Sequence, residues 1–144
     1  MKKIISSKAL FAFSLIAISI VACKYGSSSP TATYKAFFDA QKKKDVPGIK
    51  KTLSKASLEM MEKTAKEQNK SLDDALKEGL DNPASKSLNV PPTRNEKIDG
   101  DNATLEVQDE ESKKWQTMYF VKEDGDWKIA LDKTIEEILK GLGK

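Results

Sequence analysis

The sequence predicts an α+β domain in which N-terminal helices pack on a strongly curved antiparallel sheet. Between residues 30 and 82, apolar residues recur every three or four positions, as in amphipathic helices. After Pro91 the period changes to two, as in half-buried strands. Asp99-Gly100 and Asp124-Gly125 are typical turns of antiparallel hairpins. Helices followed by hairpins indicate a helical layer covering one face of a curled sheet.

Four helices are predicted in the first half of the domain. The first begins at Pro30, a favoured first helical residue, after the capping residue Ser29. It places Asp39 opposite its apolar side, in water. Asp45 is expected to cap the second helix. The predicted ranges are Pro30–Lys44, Asp45–Leu53, Ser57–Gln68 and a helix that Ser71 opens and Asn82-Pro83 ends.

Four strands and a terminal helix are predicted in the second half. A charged loop, Asp109–Lys114, separates the second strand from the third, and Trp127, Ile129 and Leu131 line one face of the last strand. The first three strands cover Thr93–Ile98, Ala103–Gln108 and Trp115–Lys122. A helix over Ile135–Leu142 is expected to turn four residues inward: Ile135, Ile138, Leu139 and Leu142.

Residues 1–22 form a pattern typical of a secretory signal peptide. Lys2, Lys3 and Lys8 precede an apolar run, residues 9–22, which ends in small residues. This run is shorter than the ~20 residues that a membrane-spanning helix needs. A removable signal is therefore favoured over a permanent transmembrane helix.

The end of the run, Ile20-Val21-Ala22-Cys23, resembles the lipobox of bacterial lipoproteins. The resemblance implies cleavage between Ala22 and Cys23 and attachment of a diacylglycerol to the Cys23 sulfur. Residues 23–29 then form a lipidated tether, and residues 30–144 form the domain. Each buried CH₂ contributes about 0.8 kcal/mol, so two or three acyl chains hold a protein stably. An ordinary secretory signal that leaves a free Cys23 thiol is the alternative.

The resemblance also implies a location. Such proteins are lipid-anchored in the cell membrane or the outer membrane and face the periplasm or the cell exterior. Lys24, rather than an aspartate after the cysteine, favours the outer membrane in a double-membraned cell. Acylation of the only cysteine leaves no thiol for a disulfide, so stability is expected to come from a packed core.

Charge and composition exclude several function classes. The formal charge of +3 comes from the three lysines of the signal segment, so the chain after residue 22 has a net charge near zero. It lacks the excess of basic residues that is typical of nucleic-acid-binding domains. The chain has no histidine, which removes the commonest general base and metal ligand. We predict no metal and no cofactor. The pairs Asp99/Asp101 and Asp124/Asp126 lack the spacing and distal glutamate of a calcium loop and are explained by turn formation.

Several motifs resemble the nuclear transport factor 2-like superfamily, and more narrowly its lumazine-binding-like lipoproteins of unassigned function. They are Ser29-Pro30, Phe37-Phe38, Ala40, Asp45, Leu53-Ser54 and Asp124-Gly125-Asp126-Trp127-Lys128-Ile129. The resemblance implies a cone: a bent sheet wrapped around helices, with a pocket between its concave face and the first helix. This superfamily contains isomerases, dehydratases and many proteins without catalytic activity, so the fold alone assigns no function.

The aromatic side chains either build the core or line a pocket for an apolar ligand. The set is Tyr34, Phe37, Phe38, Trp115, Tyr119 and Trp127. The favoured hypothesis is a membrane-anchored, non-catalytic envelope protein that binds a protein partner or a small apolar ligand. A surface that docks onto a larger envelope assembly is another possibility.

An enzyme of the isomerase or dehydratase type is the alternative of a different class. It needs a carboxylate base on an apolar face opposite a tyrosine donor, and Tyr34 and Tyr119 are the candidate donors. The strand alternation places Glu106, Asp126 and Asp132 away from the apolar face. The sequence therefore offers no convincing base.

Overall fold

The computed structural model describes residues 29–82 and 89–142, which form five helices and four strands. Residues 1–28 lie outside this range, so the signal peptide, the lipidation of Cys23 and most of the tether stay predictions. The helices are α1 (Pro30–Lys42), α2 (Val46–Thr52), α3 (Lys55–Glu67), α4 (Leu72–Asp81) and α5 (Leu131–Leu142), and the strands are β1 (Thr93–Asp99), β2 (Asn102–Gln108), β3 (Trp115–Glu123) and β4 (Asp126–Ile129).

Side-chain caps define the starts of the first four helices. Ser29 accepts a hydrogen bond from the Ala32 amide at the start of α1, with Pro30 in the first turn, as predicted. Asp45 accepts from Gly48 and caps α2. Helix α3 begins two residues earlier than predicted, because the Ser54 hydroxyl accepts from the Ser57 amide and Ser57 lies inside the first turn.

The strands form one antiparallel sheet in the order β1-β2-β3-β4, which confirms the predicted α+β meander. An irregular register between Arg94 and Lys97 interrupts the pairing of β1 with β2. Because β1 is an edge strand, this bulge and its charged side chains protect its free edge from pairing with another chain.

The last strand is shorter than predicted. β4 ends at Ile129, and Leu131 begins α5 instead of continuing the strand. Two hydrogen bonds beside β3 accompany this change: the Ala130 amide donates to the Tyr119 carbonyl at 2.9 Å, and the Tyr119 amide donates to Thr134 Oγ1 at 3.1 Å. The start of α5 therefore continues the pairing with β3 where β4 has ended.

The core lies between the inner face of the sheet and the helices α1 and α2. Ala103, Phe120 and Ile129 are paired neighbours across three strands, and all are at most 4% exposed. Tyr34 of α1 and Ile49 of α2 pack on this layer from the helical side, each 2% exposed. Helices on one sheet face are thus observed, as the apolar periodicities predicted.

The prediction for the apolar side of the terminal helix was wrong. The exposed fractions of Ile135, Ile138 and Leu139 are 44%, 46% and 62%. Thr134, which is 9% exposed and hydrogen-bonded to β3, is the residue that faces the sheet. That contact fixes the rotation of α5 and leaves most of its apolar stripe outside the core; the Leu142 side chain lies outside the described residues.

Replacement of Trp127 tests the core. Trp127 is 5% exposed and belongs to the buried cluster, so Trp127→Ala should lower the free energy of unfolding by about 3–5 kcal/mol. Urea denaturation measures this loss. The control Lys77→Ala, at an exposed position of α4, should stay within about 0.5 kcal/mol of the parent. A loss below about 1 kcal/mol for Trp127→Ala would show that this side chain is not core.

Candidate functional site

Four of the six aromatic residues proposed for a pocket belong to the core or its border. Tyr34 and Trp127 are 2% and 5% exposed, so water does not reach them. Phe37 and Phe38 are half-buried and pack against the same cluster. The ring centroids of Tyr34 and Phe38 are 4.9 Å apart, and those of Phe37 and Phe38 are 5.7 Å apart in an edge-to-face arrangement. These four rings therefore act as packing groups.

Trp115 and Tyr119 lie on the opposite, outer face of the sheet. Tyr119 pairs with Thr104 and Trp115 with Gln108, one residue out of phase with the buried Phe120. Because strand side chains alternate between faces, these two rings cannot share a pocket with Tyr34 or Trp127. The predicted six-residue pocket is consequently divided between two sides of the sheet.

Arg94 covers the Trp115 ring on this outer face. The guanidinium carbon lies 4.0 Å from the ring centroid, and Arg94 Nε lies 2.6 Å from Glu106 Oε2. Hydrogen bonds from Arg94 and then Asn95 hold the pKa of Glu106 below its ordinary value. Glu106 is therefore an ionised partner of Arg94, and it is poorly suited to act as a general base.

A groove of about 350 Å³ lies between β3 and α5. Tyr119 is the one residue of the predicted aromatic pocket that contributes to it. Its six lining residues combine aromatic, aliphatic, hydroxyl, amide and carboxylate groups: Gln116, Thr117, Tyr119, Thr134, Glu137 and Ile138. This mixture suits a polypeptide segment or another ligand that has both apolar and hydrogen-bonding groups.

A buried polar cluster that the sequence did not reveal lies where α3 meets α5. Ser57 Oγ lies 2.7 Å from Ser54 Oγ and 2.8 Å from Asp132 Oδ1, and it accepts a hydrogen bond from the Leu131 amide at 2.8 Å. The Ser54-x-x-Ser57 spacing at a helix start is the signal that could have indicated it. Since the chain has no histidine, these groups cannot form a Ser-His-Asp triad. They join α3 to the start of α5.

The acidic hairpin residues form turns. Asp124 and Gly125 have φ angles of 52° and 87°, which two-residue hairpin turns require. Asp124 Oδ2 also lies 3.2 Å from Lys55 Nζ. Within residues 29–82 and 89–142, no group of three or more acidic, histidine or cysteine side chains could hold a metal ion.

Comparison with known proteins finds no matching family model, no matching curated protein and no matching solved structure. Among the described residues, no helix combines the length and the apolar character that crossing a bilayer requires. The assignment of function therefore depends on the residues and their geometry.

Tyr34 gives a pH dependence that tests the packing around it. Burial, with a smaller contribution from the charge of Glu110, raises the pKa of Tyr34 from 10.0 to about 12. Since the raised pKa favours the neutral hydroxyl in the folded state, this stabilisation is complete below pH 10 and is lost as the pH rises towards 12. At 1.36 kcal/mol per pKa unit, the loss is at most about 3 kcal/mol.

Denaturant unfolding between pH 9 and pH 12 measures this effect as a difference between the parent and Tyr34→Phe. The parent should lose stability more steeply than the variant over about pH 10–12, because the variant has no hydroxyl to ionise. Lysine titration contributes equally to both proteins and cancels in the difference. Parallel curves would contradict the buried position of the hydroxyl.

Proposed function

We propose that this chain is a membrane-anchored, non-catalytic lipoprotein of a bacterial cell envelope whose domain binds a protein partner or a small apolar ligand. The observation that carries the proposal is the lipobox-like Ile20-Val21-Ala22-Cys23, placed six residues before the helix cap Ser29. A lipid on Cys23 would hold the domain next to the bilayer. The outer membrane or the cell membrane would be its location.

The assignment as non-catalytic is supported by the contacts of the candidate carboxylates. Glu106 is bonded to Arg94, Asp132 to Ser57, and Asp126 lies 4.0 Å from Lys128 Nζ. A general base needs a free lone pair directed at a substrate proton. None of these three carboxylates lies beside Tyr34, the tyrosine on the inner face.

A nuclear transport factor 2-like cone is the fold that we propose for the domain. The helices on the inner face of a four-stranded antiparallel sheet are compatible with it. In such a cone the ligand pocket would lie between the concave face and α1. Here Tyr34, Phe120 and Trp127, at most 5% exposed, occupy the space between α1 and the sheet, which favours binding at the surface.

The groove between β3 and α5 is the binding site that we propose for the partner. It offers the Tyr119 ring and the Ile138 side chain beside the polar groups of Gln116, Thr117 and Glu137. An extended segment of a protein would find both apolar contact and hydrogen bonds there. A small apolar ligand would use Tyr119 and Ile138 alone, so a protein partner fits the lining better.

The membrane anchor is tested by Cys23→Ser. Without the thiol the precursor should be neither acylated nor cut, because the sulfur carries the lipid that the lipoprotein peptidase recognises. Mass spectrometry of the N-terminal peptide from purified native protein should show a diacylglyceryl group on Cys23 of the parent. An unmodified thiol on protein released into the medium would exclude the lipoprotein assignment.

The binding groove is tested by site-specific photo-crosslinking in intact cells. A benzophenone amino acid in place of Thr117 should form a covalent adduct with a defined protein, since Thr117 is exposed and lines the groove. The matched control replaces Lys77 on α4, also exposed, and should give no such adduct. Equal adducts from both positions, or none from Thr117, would contradict the groove as the binding site.

A further inference from the structure

Helix α5 presents an apolar surface that the described residues do not cover. We call Ile135, Ile138 and Leu139 the α5 stripe; they are 44%, 46% and 62% exposed. Only one other large apolar residue of the described ranges, Ile98 in β1, is comparably exposed. Because spacings of three and four residues put the α5 stripe on one side of the helix, it forms a single narrow apolar surface.

The charged side of α5 is paired within the helix, with one lysine between two glutamates. Lys140 Nζ lies 2.7 Å from Glu136 Oε1 and 2.8 Å from Glu137 Oε1. These hydrogen bonds raise the pKa of Lys140 above its ordinary value. The helix therefore shows no basic face that would attract nucleic acid or an anionic surface, and its contact with a partner would depend on the α5 stripe.

The α5 stripe is too small to support a stable dimer by itself. A helix of 12 residues is about 18 Å long and about 10 Å wide, so its footprint is roughly 200 Å². A stable protein interface buries about 800 Å² on each partner. A surface on a protein that is already attached to its partner does not need to bury so much area. The attachment keeps the two surfaces together at an effective concentration in the millimolar range.

The chain is attached to the domain close to the start of α5. Thr33, in the first turns of α1, donates a hydrogen bond to the Trp127 carbonyl of β4 at 3.0 Å. β4 has four residues, about 13 Å in length, and α5 begins two residues after its end. Residues 23–28 span at most about 20 Å even when fully extended. A lipid on Cys23 would therefore place the bilayer within reach of α5.

We propose that the α5 stripe lies on the bilayer that holds Cys23, at the boundary between headgroups and acyl chains. This proposal rests on the proposed lipid anchor. The exposed Ile135 and Leu139 would enter the interface, and Ile138, which also lines the groove, would lie at the border of this contact. Lys140 and its glutamate partners would stay in water, as in interfacial amphipathic helices. Because α5 has no basic face, contact with zwitterionic lipid is expected, with little dependence on salt.

The test uses the native lipoprotein in phosphatidylcholine vesicles. Since Cys23 is acylated, Leu139→Cys provides the only free thiol, which is labelled with an environment-sensitive fluorophore. On reconstitution its emission should shift to the blue, and nitroxide-labelled lipids should quench it. The matched control Lys77→Cys, on the exposed side of α4, should show neither change.

A second variant separates docking from anchoring. Ile135→Ser combined with Leu139→Ser should leave flotation with the vesicles unchanged and should remove the slowed hydrogen exchange of α5 that the membrane gives to the parent. Both positions are exposed, so the fold should be retained.

Three outcomes would overturn the docking proposal. Flotation of the labelled protein without a blue shift would show that α5 stays in water although the anchor holds. A blue shift that varies with the protein-to-lipid ratio, without quenching by the nitroxide-labelled lipids, would assign the α5 stripe to contact with a second copy of the chain. Failure to float would refute the anchor itself, and the docking with it.

Discussion

The free edge of β4 is the constraint on which the rest of this domain depends. An edge strand exposes unpaired backbone groups, and β4 is only four residues long. Helical side chains and backbone satisfy it: the Thr33 hydroxyl donates to the Trp127 carbonyl, and the Ser54 amide donates to the Ile129 carbonyl, which also lies 3.2 Å from Ser57 Oγ. Helix α1 and the start of helix α3 are thereby both fixed to one strand.

These bonds explain why small hydroxyl residues are buried in a domain with few large apolar ones. Thr33 and Ser57 are 0% exposed, and Ser54 is 1% exposed. A buried carbonyl without a partner costs about 1–3 kcal/mol, and the Thr33 hydroxyl and the Ser54 amide each satisfy one. The Ser54 hydroxyl accepts from the Ser57 amide instead. The same arrangement fixes the start of α5, because Ser57 Oγ also accepts from the Leu131 amide. The position of α5 is consequently a result of how β4 ends.

The position of α5 in turn decides which surfaces remain for binding. Thr134 faces β3, and the groove beside Tyr119 opens between the two elements. The α5 stripe is left in solvent by the same rotation. A chain tethered by its N-terminus to a membrane would then have an apolar contact for the bilayer and a mixed groove for a partner, both on surfaces that the core does not use.

The sequence by itself determined the α+β class, most of the element order, the caps Ser29, Asp45 and Ser71, and the turn at Asp124-Gly125, because these depend on local periodicity, capping and backbone conformation. It also carries the lipobox-like segment before Ser29. Only the tertiary structure decided that Trp115 and Tyr119 lie across the sheet from Tyr34, that the last strand stops at Ile129, and that the stripe of α5 faces outward. Sheet register and the hydrogen bonds between Ser57 and Leu131 are contacts between residues distant in sequence, and no local pattern encodes them.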